Sequence, residues 1–243
     1  MSQAPASGPG DAPGRRESPI EIASGLAGSG RIGTDESGKG DFFGPLVIAA
    51  VWADVPTGAT LEAWGVTDSK RLSDGRARTL AKKIADADIP HAVVTIGPEK
   101  YNELYGRMKN LNHLLAWGHA RAIENLLEKA NAEAIITDQF GDASLVERAL
   151  FERGRSVHLF QMPHGERDIA VAAASVVARA EFLHRMDQLS KRAGVKLPKG
   201  AGPLVDQAAA ALIAQHGREF LQTVAKCHFK NTQKALKLAS GAG

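Results

Sequence analysis

Cysteine occurs once in 243 residues, at Cys227, and tyrosine twice. A single thiol excludes an internal disulfide framework and any zinc site built on cysteines. Its plainest role is that of a small apolar side chain. No apolar run approaches the roughly 20 residues that a membrane-spanning helix needs, and the first residues lack the apolar stretch of a secretory signal. These absences lead us to expect a reducing, cytoplasmic setting and no membrane partner. An excess of one charge is also missing: 30 Lys and Arg face 27 Asp and Glu, a formal net charge of +3. That balance is compatible with nucleic acid without indicating it.

What is present is apolar material, 44% of the chain, enough for one domain with a core. Residues 1–30 are rich in Gly, Pro, Ala and Ser and show no apolar periodicity. Such a segment buries too little surface to offset the entropy of ordering, so a disordered tail is expected. From Arg31 the pattern alternates. A glycine-rich strand over Ile32–Ser37 precedes a buried strand over Leu46–Trp52. Ser73 suits the N-cap of a helix to about Asp88, followed by a strand over His91–Ile96. Helical spacing covers Pro98–Tyr105 and Leu111–Asn131, with Asn110 or Asn112 as cap; Ala134–Thr137 reads as a strand ending at Asp138. A short helix starts at Asp142 or Ser144, a strand covers Val157–Gln161, a long helix follows Asp168 to about Lys191, and helical pieces follow Pro203. This order predicts an α/β fold: a mixed β-sheet flanked by helices, with a helical C-terminal part. The structured unit is expected over residues 31–238, as a monomer.

The sharpest local feature is Asp35-Glu36-Ser37-Gly38-Lys39-Gly40-Asp41. Adjacent strand residues point to opposite faces, so Asp35 and Glu36 meet one site only if the strand ends or bends there. Gly38 and Gly40 permit that bend. Asp138 ends a second strand, where catalytic groups of α/β sheets commonly sit, and Glu166-Arg167-Asp168 precedes the long helix. Clustered carboxylates suit hard divalent cations, and two such ions stabilise both oxygens of an in-line phosphodiester displacement. Taken singly, Asp41, Asp142 and Asp168 read as turn or cap residues.

These residues carry a resemblance. The run Asp35 to Leu46, with Asp68-Ser69-Lys70, Thr137-Asp138-Gln139-Phe140, Ala170 to Ser175, Leu197 to Gly202 and Ala225 to Thr232, resembles the type 2 ribonucleases H, ribonuclease HIII in particular. It spans about Arg31 to Leu236. It implies a ribonuclease H-like core and a metal-dependent endonuclease that cuts the RNA strand of an RNA–DNA hybrid, using Mg2+ with Mn2+ as the alternative. Carried over, the acidic tetrad falls on Asp35, Glu36, Asp138 and Glu166, as metal ligands and catalytic residues. Asp168 stands as the alternative fourth member, because His164-Gly165-Glu166 departs from the usual Lys-Ala-Glu. The family's N-terminal substrate-binding domain does not fit within 30 low-complexity residues, so a shortened member, or another part of the chain gripping the duplex, is expected.

The resemblance also assigns ribose recognition to Gly38-Lys39-Gly40. A 2′-hydroxyl separates RNA from DNA and backbone groups can read it without reading bases. Further expected substrate contacts are Ser69, Lys70, Asn112, Ser175, Lys199 and Lys226. For Asn112 helix capping, for Ser175 close packing, and for Lys39 an ordinary turn lysine stand as competing readings. Two other functions compete: ribonuclease HII-type cleavage at single ribonucleotides in duplex DNA, and a non-catalytic hybrid-binding module. The first usually employs a C-terminal tyrosine, and no tyrosine follows Tyr105. The second needs a lost carboxylate, and all four are present.

Overall fold

The computed structural model describes residues 30–138 and 144–241. Five strands form one sheet in the order β3-β2-β1-β4-β5. They are β1 (Arg31–Ser37), β2 (Leu46–Ala53), β3 (His91–Ile96), β4 (Ala134–Asp138) and β5 (His158–Met162). β1, β2 and β3 pair antiparallel, while β4 lies parallel to both β1 and β5. The described helices are α1 (Val55–Ala63), α2 (Asp74–Asp86), α3 (Pro98–Met108), α4 (Leu111–Leu127), α5 (Ser144–Ala149), α6 (Ile169–Ala193), α7 (Pro203–His216), α8 (Arg218–Val224) and α9 (Lys230–Ala239).

The sheet is covered on both faces, which is why β2 reads as a continuous apolar run: Leu46 to Val51 are all buried. Phe42, Val47, Ala49 and Val51 pack with Leu80 of α2 and the alanines of α6. Ile32, Leu46, Ile48 and Ile135 pack with Leu114, Leu115 and Ile123 of α4 on the other side. α6 comes unusually close to β1. A β-carbon on Gly33 would lie 2.1 Å from the Val171 nitrogen, so only glycine lets the helix backbone rest on the strand.

Caps follow the sequence. Ser73 accepts from the Arg76 amide at the start of α2, and Asn110 accepts from the Asn112 amide at the start of α4. Asp168 accepts from the Ala170 and Val171 amides at the start of α6. Helix α1 is not announced by the sequence pattern. Val55-Pro56-Thr57-Gly58 has the composition of a loop, yet Asp54 caps it through the Thr57 amide and Pro56 occupies its first turn, where proline is tolerated. β5 starts one residue later than its apolar pattern, because the Val157 amide is still tied to Gly154 in the preceding 3-10 turn. α4 stops at Leu127, where the amides of Lys129 and Ala130 both turn back onto Leu126. Apart from Gly30, the expected tail lies outside the described residues, as does Asp142.

Candidate active site

β1 and β4 run parallel with Thr34 beside Thr137. One residue further along each strand stands a carboxylate, Asp35 on β1 and Asp138 on β4. They open into a cleft of about 600 Å³, lined also by Glu36, the Gly38–Asp41 turn, Ser69, Lys70, Ser175, Arg179 and Lys199. No bend separates Asp35 from Glu36: β1 stays paired with β2 as far as Ser37. The two acids therefore alternate, Asp35 toward α6 and Glu36 toward α4, and share the cleft because it lies at the strand end.

The two faces treat their carboxylates differently. Asp35 Oδ1 accepts from the Glu36 amide at 2.8 Å. Burial first, then the charges of Glu36 and Asp138, push its carboxyl up to about 7, although the Glu36 amide and the Ser175 hydroxyl favour the anion. Burial acts in the same direction on Glu36, but there His119 and Lys39 outweigh it and hold the carboxyl down at about 2. His119 is wholly buried. Its Nε2 lies 3.3 Å from Glu36 Oε2 and its Nδ1 lies 2.8 Å from the Thr34 hydroxyl. A neutral ring satisfies both partners if Nε2–H donates to Glu36 and Thr34 donates to Nδ1. Lys39 Nζ stands 3.3 Å from Glu36 Oε1. On β4, Asp138 Oδ1 accepts from the Gly165 amide at 3.1 Å.

One wall is a polar network. The Ser175 and Ser69 hydroxyls share a hydrogen bond at 2.7 Å. Arg179 donates to the Ser69 carbonyl and, at 2.7 Å, to Asp74. Lys199 reaches the other oxygen of Asp74 at 2.7 Å. Lys199 foremost, with Arg179, holds the Asp74 carboxyl below the usual carboxylate range. Asp74 thus fixes two cations beside the cleft.

Of the residues singled out from sequence, Asp35, Glu36, Gly38, Lys39, Gly40, Ser69, Lys70, Asp138, Ser175 and Lys199 come together around this cleft. Glu166 does not. It sits in a 3-10 turn (Gly165–Arg167), pairs with His164 at 3.4 Å, and lines the adjacent groove with Thr67, Asp68 and Arg71. Asp168 is committed elsewhere as the cap of α6 and by a 2.6 Å bond from Arg31 Nε. Asn112 lies in the first turn of α4, outside the cleft lining. The expectation that Lys226 contacts substrate is corrected. Its side chain is fully buried and donates to the carbonyls of Gly44 at 2.6 Å, Pro45 at 3.2 Å and Phe43 at 3.5 Å, so no phosphate can reach it.

Sequence reasoning missed His119 and Arg179, and each had a signal. His119 interrupts the buried stripe of α4 between Leu115 and Ile123, where a polar residue needs a partner. Arg179 follows Ser175 by four residues, on the same face of α6.

Asp35, Glu36 and Asp138 offer hard oxygen donors, and the raised proton affinity of Asp35 reflects burial first and then repulsion from Glu36 and Asp138, both of which a divalent cation would offset. The donor chemistry fits. As the side chains stand, no three acidic, histidine or cysteine groups among the described residues converge to hold an ion.

The family model "Ribonuclease HII" matches residues 32–232. Ribonuclease HIII of Protochlamydia amoebophila (strain UWE25) is 46% identical over 205 residues, covering 84% of this chain and 68% of the relative. Ribonuclease HIII of Bacillus licheniformis is 40% identical over 231 residues, covering 89% and 70%. The crystal structure of Bst-RNase HIII in complex with Mn2+ superimposes with a TM-score of 0.84 at 40% identity, over 92% of this chain and 75% of that one. With strand order, cleft and sequence in agreement, the chain belongs to the ribonuclease HII family, among the ribonucleases HIII.

Proposed function

We propose that the protein is an endonuclease that hydrolyses the RNA strand of RNA–DNA hybrids, with Mg2+, or Mn2+ in its place, held by Asp35, Glu36, Asp138 and Glu166. The observation that carries this reading is that Asp35 and Asp138 each stand one residue past the last paired position of the parallel strands β1 and β4, beside a Gly38-Lys39-Gly40 turn that lines the same cleft. Bound divalent ions supply positive charge to the attacking and leaving oxygens of an in-line displacement. Water adds to phosphorus, the P–O3′ bond breaks, and the downstream fragment keeps the 5′-phosphate.

The chain's own residues do the rest. Asp35 and Asp138 present oxygens from a rigid sheet, which positions them better than loops would. His119 keeps Glu36 ionised and oriented. Glu166 joins this set from the turn whose Gly165 amide already binds Asp138. Lys70, Arg179 and Lys199 give one wall of the cleft cationic groups suited to a phosphate backbone, and the backbone of the Gly38–Gly40 turn reads the 2′-hydroxyl. On this reading residues 31–238 form the catalytic unit, acting as a monomer in the cytoplasm.

The test compares three duplexes with Mg2+ or Mn2+: a full RNA–DNA hybrid, a DNA duplex with one ribonucleotide, and plain DNA. Cleavage of the first well above the second is expected. Preference for the single ribonucleotide would give the function to ribonuclease HII-type repair, and cutting of none would leave a binding module.

A further inference from the structure

Among the described residues Lys226 is the only buried Lys or Arg, and the proposed reaction does not use it. Lys226 is fully buried, although burying an ammonium group is costly unless its donors are matched. Here they are matched by three consecutive carbonyls, Phe43, Gly44 and Pro45, in the connection between β1 and β2. The backbone adds to the same tie. The Lys226 amide donates to Phe42 at 2.8 Å, the Gly44 amide donates to Val224 at 2.9 Å, and Phe43 bridges Ala225 as an antiparallel pair.

What Lys226 holds is the underside of the turn. Gly38 has φ +87°, and a β-carbon on it would lie 2.2 Å from the Pro45 carbonyl oxygen. The turn therefore rests on an oxygen that Lys226 grips. Its far end is held as well: the Asp41 amide closes onto the Gly38 carbonyl at 3.3 Å, and Asp41 Oδ1 accepts from the Gly200 amide at 2.6 Å. A turn that reads a hydroxyl through its backbone has no side chain with which to correct a misplaced carbonyl or amide. Its accuracy depends on what supports it.

We infer that Lys226 is a positioning residue for ribose selection: its three carbonyl bonds set the height of the Gly38–Gly40 turn in the cleft, and with it the preference for RNA–DNA hybrid over DNA duplex. The inference rests on the proposed role of that turn at the ribose.

The experiment uses the full chain and its Lys226→Met and Lys226→Gln variants. Fluorescence anisotropy without divalent metal measures binding to a labelled RNA–DNA hybrid and to the DNA duplex of the same sequence; circular dichroism and thermal melting report folding. Lys226→Met is expected to fold and to lose about tenfold of the hybrid-over-DNA preference, the worth of one well-placed hydrogen bond, while its affinity for DNA duplex stays as in the wild type. Lys226→Gln, whose amide still donates, is expected to recover part of the preference. A folded Lys226→Met with wild-type preference overturns the inference. So does failure of both variants to fold, which would make Lys226 a determinant of the fold alone. A wild-type protein with no preference for hybrid sinks the ribose role of the turn itself, a failure visible before any variant is made.

Discussion

Asp35 and Glu36 are neighbours on one strand, yet their carboxyl groups move in opposite directions, to about 7 and about 2. Against burial and the charges of Glu36 and Asp138, Asp35 has the Glu36 amide and the hydroxyl of Ser175 on α6. The α4 side gives Glu36 an imidazole and the reach of Lys39. Both acids suffer desolvation, so burial does not separate them; the partners do. The contrast shows how strand alternation gives adjacent residues of similar chemistry two roles. One is a strained anion whose charge is left to an external cation, and the other is an anion already neutralised by the protein.

The strongest way to break this contrast is to remove the strained side. Asp35→Asn and Asp138→Asn are expected to abolish hybrid cleavage, and Glu166→Gln to reduce it severely, with folding retained, as judged by single-turnover assays and melting curves. Asp35→Asn carries a sharper signature. A folded-state pKa raised from 3.8 to about 7 means that the folded protein holds this proton more tightly than the unfolded chain. Stability from that proton is present at low pH and lost as pH rises from about 4 through 7. The metal-free variant should therefore gain melting temperature over wild type as pH climbs through that window; a constant offset at all pH values would mean Asp35 is not strained.

A smaller effect is expected on the satisfied side. His119→Phe keeps a buried aromatic ring but deprives Glu36 of its main partner. Cleavage should fall by about 10–100-fold, as for groups that orient metal ligands, and the acid limb of the pH–rate profile should move to higher pH. An unchanged profile would leave His119 as a core residue only. The smallest effect on chemistry is expected at Asp168. Asp168→Ala should cost about 0.5–2 kcal/mol for the lost cap, and more for leaving the largely buried Arg31 without its partner. Asp168→Asn keeps the cap and should keep cleavage. A folded but inactive Asp168→Asn would transfer the fourth carboxylate from Glu166 to Asp168.

Much of this was readable in the chain because it is written locally. β3 has the boundaries its apolar pattern predicts, Ser73 and Asp168 cap the helices they precede, and the carboxylates of the cleft stand at strand ends. What escaped is set by pairing across the fold. His119 could be noticed as a polar break in an apolar stripe, but its two partners lie on β1, 83 and 85 residues away in sequence. Lys226 belongs to a basic-looking motif, and nothing near it in sequence says that three carbonyls 181–183 residues earlier will enclose it. Helix α1 was hidden for a local reason: a proline and a glycine within four residues outweighed a capping aspartate in composition.

The tie between Lys226 and the β1–β2 connection has a consequence for biosynthesis. Most of the cleft floor is encoded early, since β1, the glycine turn and β2 end at Ala53, and Asp138 follows by mid-chain. The strut that supports the turn is encoded some 180 residues after it. Domains fold as units while the ribosome extends them from the N-terminus, and contacts this distant in sequence close late. A nascent chain short of Lys226 thus carries its acidic residues without the support that sets the turn. If Lys226 sets the turn as inferred, the preference for hybrid is complete only once the last helices have emerged.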